Sequence, residues 1–178
     1  MSKKYDLAAK TIVLGDGAVG KTSLIRRYVE NKFEDTYNVT LGAEFLSKTV
    51  QIKKPEKVVK LAIWDLAGQA KYASYRKLVF TGVNGAFLVF DRTRKKTFTA
   101  LKDWYHDVLQ FSPNVPVIIM VNKADLRRKV TKREVQSLAE ELTLVKGVFN
   151  TSAKTGEGVT SAFEELARQI VVRQKKGG

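Results

Sequence analysis

Eight residues near the amino terminus have the types and the spacing of a phosphate-binding loop. The run GDGAVGKT, from Gly15 to Thr22, fits the pattern G-x-x-x-x-G-K-[ST]. Its glycines let successive backbone N–H groups converge on phosphate oxygens, and the helix that starts near Gly20 adds its positive end. Lys21 would place its charge on the β- and γ-phosphates, and the Thr22 hydroxyl would be a magnesium ligand. A tight turn is the alternative, but the strand before the run and the helix after it favour a phosphate site.

A second candidate segment, DLAGQ from Asp65 to Gln69, follows an apolar strand. The Asp65 carboxylate is placed to hold magnesium, and Gly68 can offer an unhindered N–H group to a γ-phosphate. An aspartate and a glycine after a strand also form an ordinary turn. This segment therefore supports a nucleotide site only in combination with the other segments.

Two further segments suit the recognition of a purine base. NKAD, from Asn122 to Asp125, comes directly after the apolar run VPVIIMV. A carboxylate can accept hydrogen bonds from both N1–H and N2–H₂ of guanine, whereas adenine offers no such pair. Taken alone, NKAD is more often a turn or a helix cap, and Ser152-Ala-Lys154 is nearly uninformative by itself. Their positions directly after strands make them candidates.

Strands that alternate with helices must position these segments. The runs at 85–91 and 115–121 are almost continuously apolar, which is typical of strands buried on both faces of a parallel sheet. The alternation predicts an open α/β sheet whose ligands bind at the carboxyl ends of the strands. The remaining predicted elements are strands at 10–15, 45–52, 58–64 and 148–150, a hairpin turn at 53–57, helices at 20–29 and 131–142, a helix capped by Thr97 with the stripe Phe98, Leu101, Tyr105, Val108 and Leu109, and a last helix with the stripe Val159, Phe163, Leu166 and Ile170.

The composition is that of one globular domain with an excess of positive charge. The 178 residues are 44% apolar, no apolar run approaches the roughly 18 residues of a membrane span, and the first residues are no signal peptide. The absence of cysteine excludes disulfides, thiolate zinc sites, cysteine nucleophiles and cysteine-linked lipids from this chain. A cytoplasmic protein without a lipidation site is expected.

The net charge of +14 is concentrated at 92–96, 127–133 and 173–176. No aromatic residues are interleaved there as a base-stacking platform would require, so we expect no specific nucleic-acid partner. A solvated basic surface is favoured over a specific acidic target, with at most weak electrostatic contact with a membrane.

Together and in this order, the four segments resemble the Ras superfamily of small GTPases over residues 10–170. Trp64, the pattern Tyr37-x-x-Thr40-x-Gly42-x-x-Phe45 and the stretch TSAKTG at 151–156 are most similar to the Rab branch, although GDGAVGKT also occurs among Rho-type members. The resemblance implies a P-loop G domain at 10–172 with about six mostly parallel strands and helices on both faces. An extension at 1–9 and a short basic tail at 173–178 would flank it.

The resemblance implies a monomeric switch that binds GTP or GDP with Mg²⁺ and hydrolyses GTP, in membrane traffic or related signalling. Gln69 would orient the attacking water and Lys21 would assist catalysis. Thr22, Thr40 and Asp65 would hold the magnesium ion.

Two aromatic residues would close the nucleotide site. Phe33 would pack against the guanine, with a core anchor as the alternative, and Tyr37 would close over the phosphates, with an ordinary surface aromatic as the alternative. The full nucleotide-binding set implied by the resemblance is Gly15, Asp16, Gly17, Ala18, Val19, Gly20, Lys21, Thr22, Ser23, Phe33, Tyr37, Thr40, Gly68, Asn122, Lys123, Asp125, Ser152, Ala153 and Lys154.

Regulation would involve partner proteins. No arginine is obviously placed to act in cis, so slow turnover without a partner is expected. Effectors, exchange factors and GTPase-activating proteins would bind through residues 33–45 and 64–80. In that surface Ala70 replaces a glutamate on which exchange factors act in relatives, and Val79 replaces the third aromatic of the Rab effector-facing trio. A member without cysteine is consistent with a prokaryotic relative or with a shortened chain.

Two other functions are open at this point. One is a module that binds nucleotide without hydrolysing it, against which the retention of Thr40, Asp65 and Gln69 argues. The other is a basic nucleic-acid-binding protein with an incidental phosphate loop, which lacks a helix–turn–helix, zinc or stacking signature. His106, the only histidine, is interpreted as a surface residue of a helix.

Overall fold

A computed structural model describes residues 4–36, 38–67 and 73–176, which fold around a six-stranded sheet. The strands are Leu7–Leu14 (β1), Ala43–Lys53 (β2), Glu56–Leu66 (β3), Val83–Asp91 (β4), Val117–Asn122 (β5) and Val145–Asn150 (β6). Their order across the sheet is β2-β3-β1-β4-β5-β6, and the neighbouring pairs are parallel except for β2 with β3. The predicted α/β class with six mostly parallel strands is confirmed.

Helices cover both faces of this sheet. They are Lys21–Glu30 (α1), Ala73–Phe80 (α2), Lys95–Thr99 (α3), Leu101–Phe111 (α4), Lys132–Glu141 (α5) and Val159–Lys176 (α6). Thr131 caps α5 in a capping box with Glu134, which explains why this start could be predicted from the sequence. No helix in the described part of the chain has the combined length and apolar character needed to cross a membrane.

The sheet separates two hydrophobic cores, because neighbouring residues of a strand point to opposite faces. Phe87 of β4 packs on the side of α1 and α6, where the rings of Tyr28 and Phe163 stack with 4.1 Å between their centroids. Leu88 packs on the other side, with α2, α4 and α5. The predicted apolar stripe of α6 lies in the first core, so it is used inside the protein.

Thr97 does not cap a helix, contrary to the prediction. Helix α3 already starts at Lys95, and the buried Thr97 hydroxyl accepts the Asp91 N–H at 3.0 Å and donates to the Arg94 carbonyl at 2.8 Å. The chain turns from β4 directly into α3, and this contact satisfies the last N–H group of the strand. Leu109 also departs from the predicted stripe of α4, since it is 39% exposed.

Several elements are longer than predicted. The turn between β2 and β3 is reduced to Lys54 and Pro55, and β6 starts earlier, at Val145. Strand β1 starts at Leu7, inside the proposed extension, and α6 runs through most of the proposed tail. Helix α2 lies where the sequence pattern predicted no element. His106 is exposed on α4, as expected.

Candidate functional site

The loop between β1 and α1 can be built only with glycine at two positions. Gly15 has a φ of +148°, and a Cβ atom there would lie 2.2 Å from the Val89 carbonyl oxygen of β4. Gly20 has a φ of +101°, and a Cβ atom there would lie 2.3 Å from Nδ2 of Asn122. Both conformations are ones that side chains disfavour. The loop is thus pressed between β4 and the NKAD segment, which fixes its curvature.

Lys21, the first residue of α1, is buried beneath this loop. Its Nζ donates to the Gly15 carbonyl at 2.7 Å and to the Asp16 carbonyl at 2.8 Å. Burial lowers the pKa of Lys21 to about 8, against the opposing charges of Asp65 and Asp16. The ammonium group is therefore held at the loop, where a bound anion would stabilise its positive charge.

The three predicted magnesium ligands converge. The hydroxyl oxygens of Thr22 and Thr40 are 2.8 Å apart, and the Thr22 hydroxyl also donates to Oδ2 of Asp65. The other carboxylate oxygen of Asp65, Oδ1, is buried and has no hydrogen-bond partner among the described residues. Burial raises the pKa of this carboxyl, while the Thr22 bond and the Lys21 charge oppose the shift. One carboxylate and two hydroxyl oxygens form a donor set that suits a hard cation such as Mg²⁺.

Asn122 joins the phosphate loop to two other loops. Its Nδ2 donates to the Val19 carbonyl at 2.8 Å, and its Oδ1 accepts the Thr151 hydroxyl at 3.2 Å. Asn122 is 2% exposed, and both polar ends of its side chain are therefore used inside the protein. The geometry makes Asn122 a strut between the loops that surround the cavity.

Asp125 is the polar residue of NKAD that faces outwards. Its Oδ1 accepts the Ser152 hydroxyl at 2.6 Å, and Ser152 in turn accepts the Thr155 N–H at 3.1 Å. Arg27 of α1 fixes the same region, because it donates to the carbonyls of Ala153 at 2.7 Å and Lys154 at 2.8 Å. The carboxylate is thereby oriented while its second oxygen stays available to a base.

Asp91, at the end of β4, lies between the base-binding and phosphate-binding segments. Its side chain is 1% exposed and pairs with Lys123 Nζ at 2.8 Å and Arg94 Nε at 3.1 Å. Although burial works against it, the hydrogen bonds from Lys123 and Thr93 lower the pKa of the Asp91 carboxyl. Neither Asp91 nor Arg94 belongs to a sequence motif identified above, and Arg27 was missed for the same reason.

These segments surround a cavity of about 420 Å³. Phe33 is half-buried, lines the cavity and packs against the first core, which agrees with the core-anchor alternative; its contact with guanine stays a prediction. Tyr37, Gly68 and Gln69 lie outside the described residues. Five other predicted residues do not line the cavity: Gly15, Asp16, Val19, Asp65 and Ser152. The predicted site residues that line the cavity are Gly17, Ala18, Gly20, Lys21, Thr22, Ser23, Phe33, Thr40, Asn122, Lys123, Asp125, Ala153 and Lys154.

Comparison with known proteins gives a consistent result. The family described as the Ras family matches residues 10–172. The chain is 39% identical over 180 residues to "Ras-related protein Rab-4A" of Rattus norvegicus and of Homo sapiens, an alignment that covers 99% of this chain and 81% of each relative. It is also 39% identical to "Ras-related protein Rab-4B" of Mus musculus, with 99% of this chain and 83% of that relative covered.

Proposed function

The chain belongs to the Ras family of small GTPases and is a GTP hydrolase, and we propose that it works as a magnesium-dependent, Rab-like switch. The observation that carries this proposal is the convergence of Thr22, Thr40 and Asp65 beside the buried Lys21. Such a set offers a cation and a polyphosphate adjacent positions at the carboxyl ends of β1 and β3.

In the proposed complex the phosphate loop binds the triphosphate through its backbone N–H groups, and Lys21 exchanges its carbonyl partners for phosphate oxygens. Thr22, Thr40 and Asp65 would hold Mg²⁺, which would supply positive charge to neutralise the phosphates. Asp125 accepts the N1–H and N2–H₂ groups of guanine, and Phe33 packs beside the base. Gln69 orients the attacking water.

The switch in this proposal is the order of the segment that contains Thr40. The Thr40 hydroxyl lies 2.8 Å from the hydroxyl of Thr22, which joins this segment to the start of α1. Loss of the γ-phosphate would release Thr40 and Gly68, so that residues 33–45 and 64–80 relax and partners distinguish the two states.

The proposed partner surface carries exposed apolar residues. Val39, Leu41 and Phe45 are 53%, 81% and 54% exposed, and Phe45 packs edge-on against Trp64 with 5.7 Å between ring centroids. Val79, in contrast, is buried, so it contributes to the core of the protein. We propose that effectors, exchange factors and GTPase-activating proteins bind this surface of a monomer in the cytoplasm, in membrane traffic or related signalling, and that turnover is slow without them.

A nucleotide competition experiment tests the base assignment. Against a fluorescent GDP probe, GTP should compete and ATP should compete poorly. Asp125→Ala should lose GDP affinity by on the order of a hundredfold, because a charged acceptor of two hydrogen bonds is removed. Asp103→Ala, an exposed aspartate on α4, serves as the matched control and should bind like the parent. Equal competition by ATP and GTP would refute guanine recognition by Asp125.

A further inference from the structure

Arg94 contacts the phosphate loop although it lies far from this loop along the chain. It follows β4 and precedes α3, and its Nη2 donates to the Gly17 carbonyl at 3.0 Å. Gly17 lies in the middle of the phosphate loop and lines the nucleotide cavity. An arginine 77 residues away along the chain therefore has its guanidinium beside Gly17, in a neighbouring pocket that both residues line.

The guanidinium is anchored at one end and available at the other. Its Nε donates to Oδ2 of Asp91 at 3.1 Å, and Asp91 is nearly inaccessible to solvent. Of the five N–H groups of an arginine, three have no acceptor among the described residues. The Arg94 side chain is 44% exposed, so it has room to adjust.

Two cationic side chains contact the phosphate loop. Lys21 donates to the carbonyls of Gly15 and Asp16, and Arg94 donates to the carbonyl of Gly17. Two nearby cations are both stabilised by an anion that binds close to them. A triphosphate on the loop is such an anion, and a guanidinium is suited to bind two phosphate oxygens at once.

We propose that Arg94 is a catalytic arginine supplied by the chain itself, which stabilises the negative charge of the transferred phosphoryl group. This inference rests on the proposed function. In the reaction the water oxygen forms a bond to the γ-phosphorus while the bond from that phosphorus to the β–γ bridging oxygen breaks. GDP leaves with the electron pair of the broken bond, and the two protons of water go to the phosphate product or to solvent. The free N–H groups of Arg94 bind the phosphoryl oxygens, while Asp91 holds the Nε end in place.

The expected contribution of Arg94 is smaller than that of an arginine inserted by a partner. A partner's arginine in a closed site is worth roughly 10³–10⁵ in rate. Arg94 is half-exposed, so solvent screens its charge, and we expect on the order of tenfold to a hundredfold. Intrinsic turnover stays slow, but it is faster than the chain would achieve without this residue.

The test compares Arg94→Gln and Arg94→Lys with the parent in single-turnover hydrolysis of GTP. Arg94→Gln should lower the rate by about tenfold or more while the dissociation constants of GDP and of a non-hydrolysable GTP analogue change less than about threefold. Arg94→Lys should fall between the two, because it keeps the charge but loses the fork. Lys96→Gln removes an exposed neighbouring charge that has no contact with the loop, and it should hydrolyse GTP at the parent rate.

A second readout separates catalysis from support of the loop. GDP with aluminium fluoride mimics the planar phosphoryl group in transfer, so the parent should bind it more tightly than GDP with fluoride alone, and Arg94→Gln should lose that gain. Unchanged hydrolysis in Arg94→Gln would overturn the proposal. An equal loss in the binding of GDP and of GDP with aluminium fluoride would also overturn it, because Arg94 would then only support the loop at Gly17. Absence of hydrolysis in the parent would instead refute the proposed function.

Discussion

Asn122 offers the sharpest test of the site, because its two interpretations predict different results. As part of NKAD it was expected to contact the nucleotide, whereas the structure commits its side chain to the Val19 carbonyl and the Thr151 hydroxyl. Asn122→Ala would remove both bonds at once. Because Val19 and Thr151 are fully buried, water cannot replace the lost partner of either group.

The magnitude follows from these two unpaired groups. A buried polar group left without its partner costs about 1–3 kcal/mol, so Asn122→Ala should lower the free energy of unfolding by about 2–6 kcal/mol. In a chain of 178 residues, 1 kcal/mol corresponds to a Tm shift of roughly 2–4 °C. A loss near the middle of that range should therefore lower Tm by on the order of 10 °C.

The assay is thermal and urea unfolding at saturating GDP, with GDP affinity measured separately so that the ligand contribution can be subtracted. Thr151→Val removes the hydroxyl alone and should cost less than Asn122→Ala. The double variant should be milder than the sum of the two, because the Thr151 hydroxyl is no longer left unpaired. If Asn122→Ala unfolds like the parent after this subtraction and loses only GDP affinity, the strut interpretation is wrong.

Three further predictions concern catalysis, pH and membranes. Gln69→Leu should leave GDP affinity near that of the parent and slow GTP hydrolysis, because the residue positions water; a parental rate would contradict its assigned role. Bound phosphates favour the charged amine of Lys21, whose pKa burial lowers to about 8 in the free protein, so nucleotide binding takes up a proton above that pH. GDP affinity should accordingly fall with rising pH above about 8, by at most about tenfold per pH unit. Lys21→Arg should lose this part of the pH dependence, because its guanidinium stays charged. Equal slopes in both proteins would exclude Lys21 as the titrating group. Binding of the chain to acidic liposomes should disappear when the salt concentration is raised to a moderate level. Each basic residue contributes about 1 kcal/mol, and salt screens this attraction within roughly 8 Å. Co-sedimentation that persists at high salt would reveal an apolar membrane contact.

The parts of the fold that could be predicted are those with local signals. The apolar runs at 85–91 and 115–121 are buried strands, and the capping box of Thr131 and Glu134 marks the start of α5. Helix α2 carries no comparable signal, because the apolar side chains described for it are divided between core and surface. Leu78 is 70% exposed while Phe80 is buried.

The parts of the site that could not be predicted depend on contacts between distant segments. The glycine-rich loop and its lysine are recognisable because their spacing is local. Arg27, Asp91 and Arg94 form hydrogen bonds or ion pairs with residues that are distant along the chain. A local sequence pattern does not predict such contacts. Thr97 was misassigned for a related reason, since a threonine near a helix start is usually a cap and here satisfies the end of a strand instead.

The two cores on opposite faces of the sheet have a consequence for how substitutions combine. Phe87 and Leu88 are adjacent along β4 but share no packing partners, so changes at the two positions should act independently. Phe87 and Phe163 are far apart along the chain, yet their rings lie 4.5 Å apart. The first core also supports Phe33 and, through α1, the arginine that holds the loop of Ala153. Sequence variation on the α1 and α6 side must therefore be coordinated with the nucleotide cavity that this side supports.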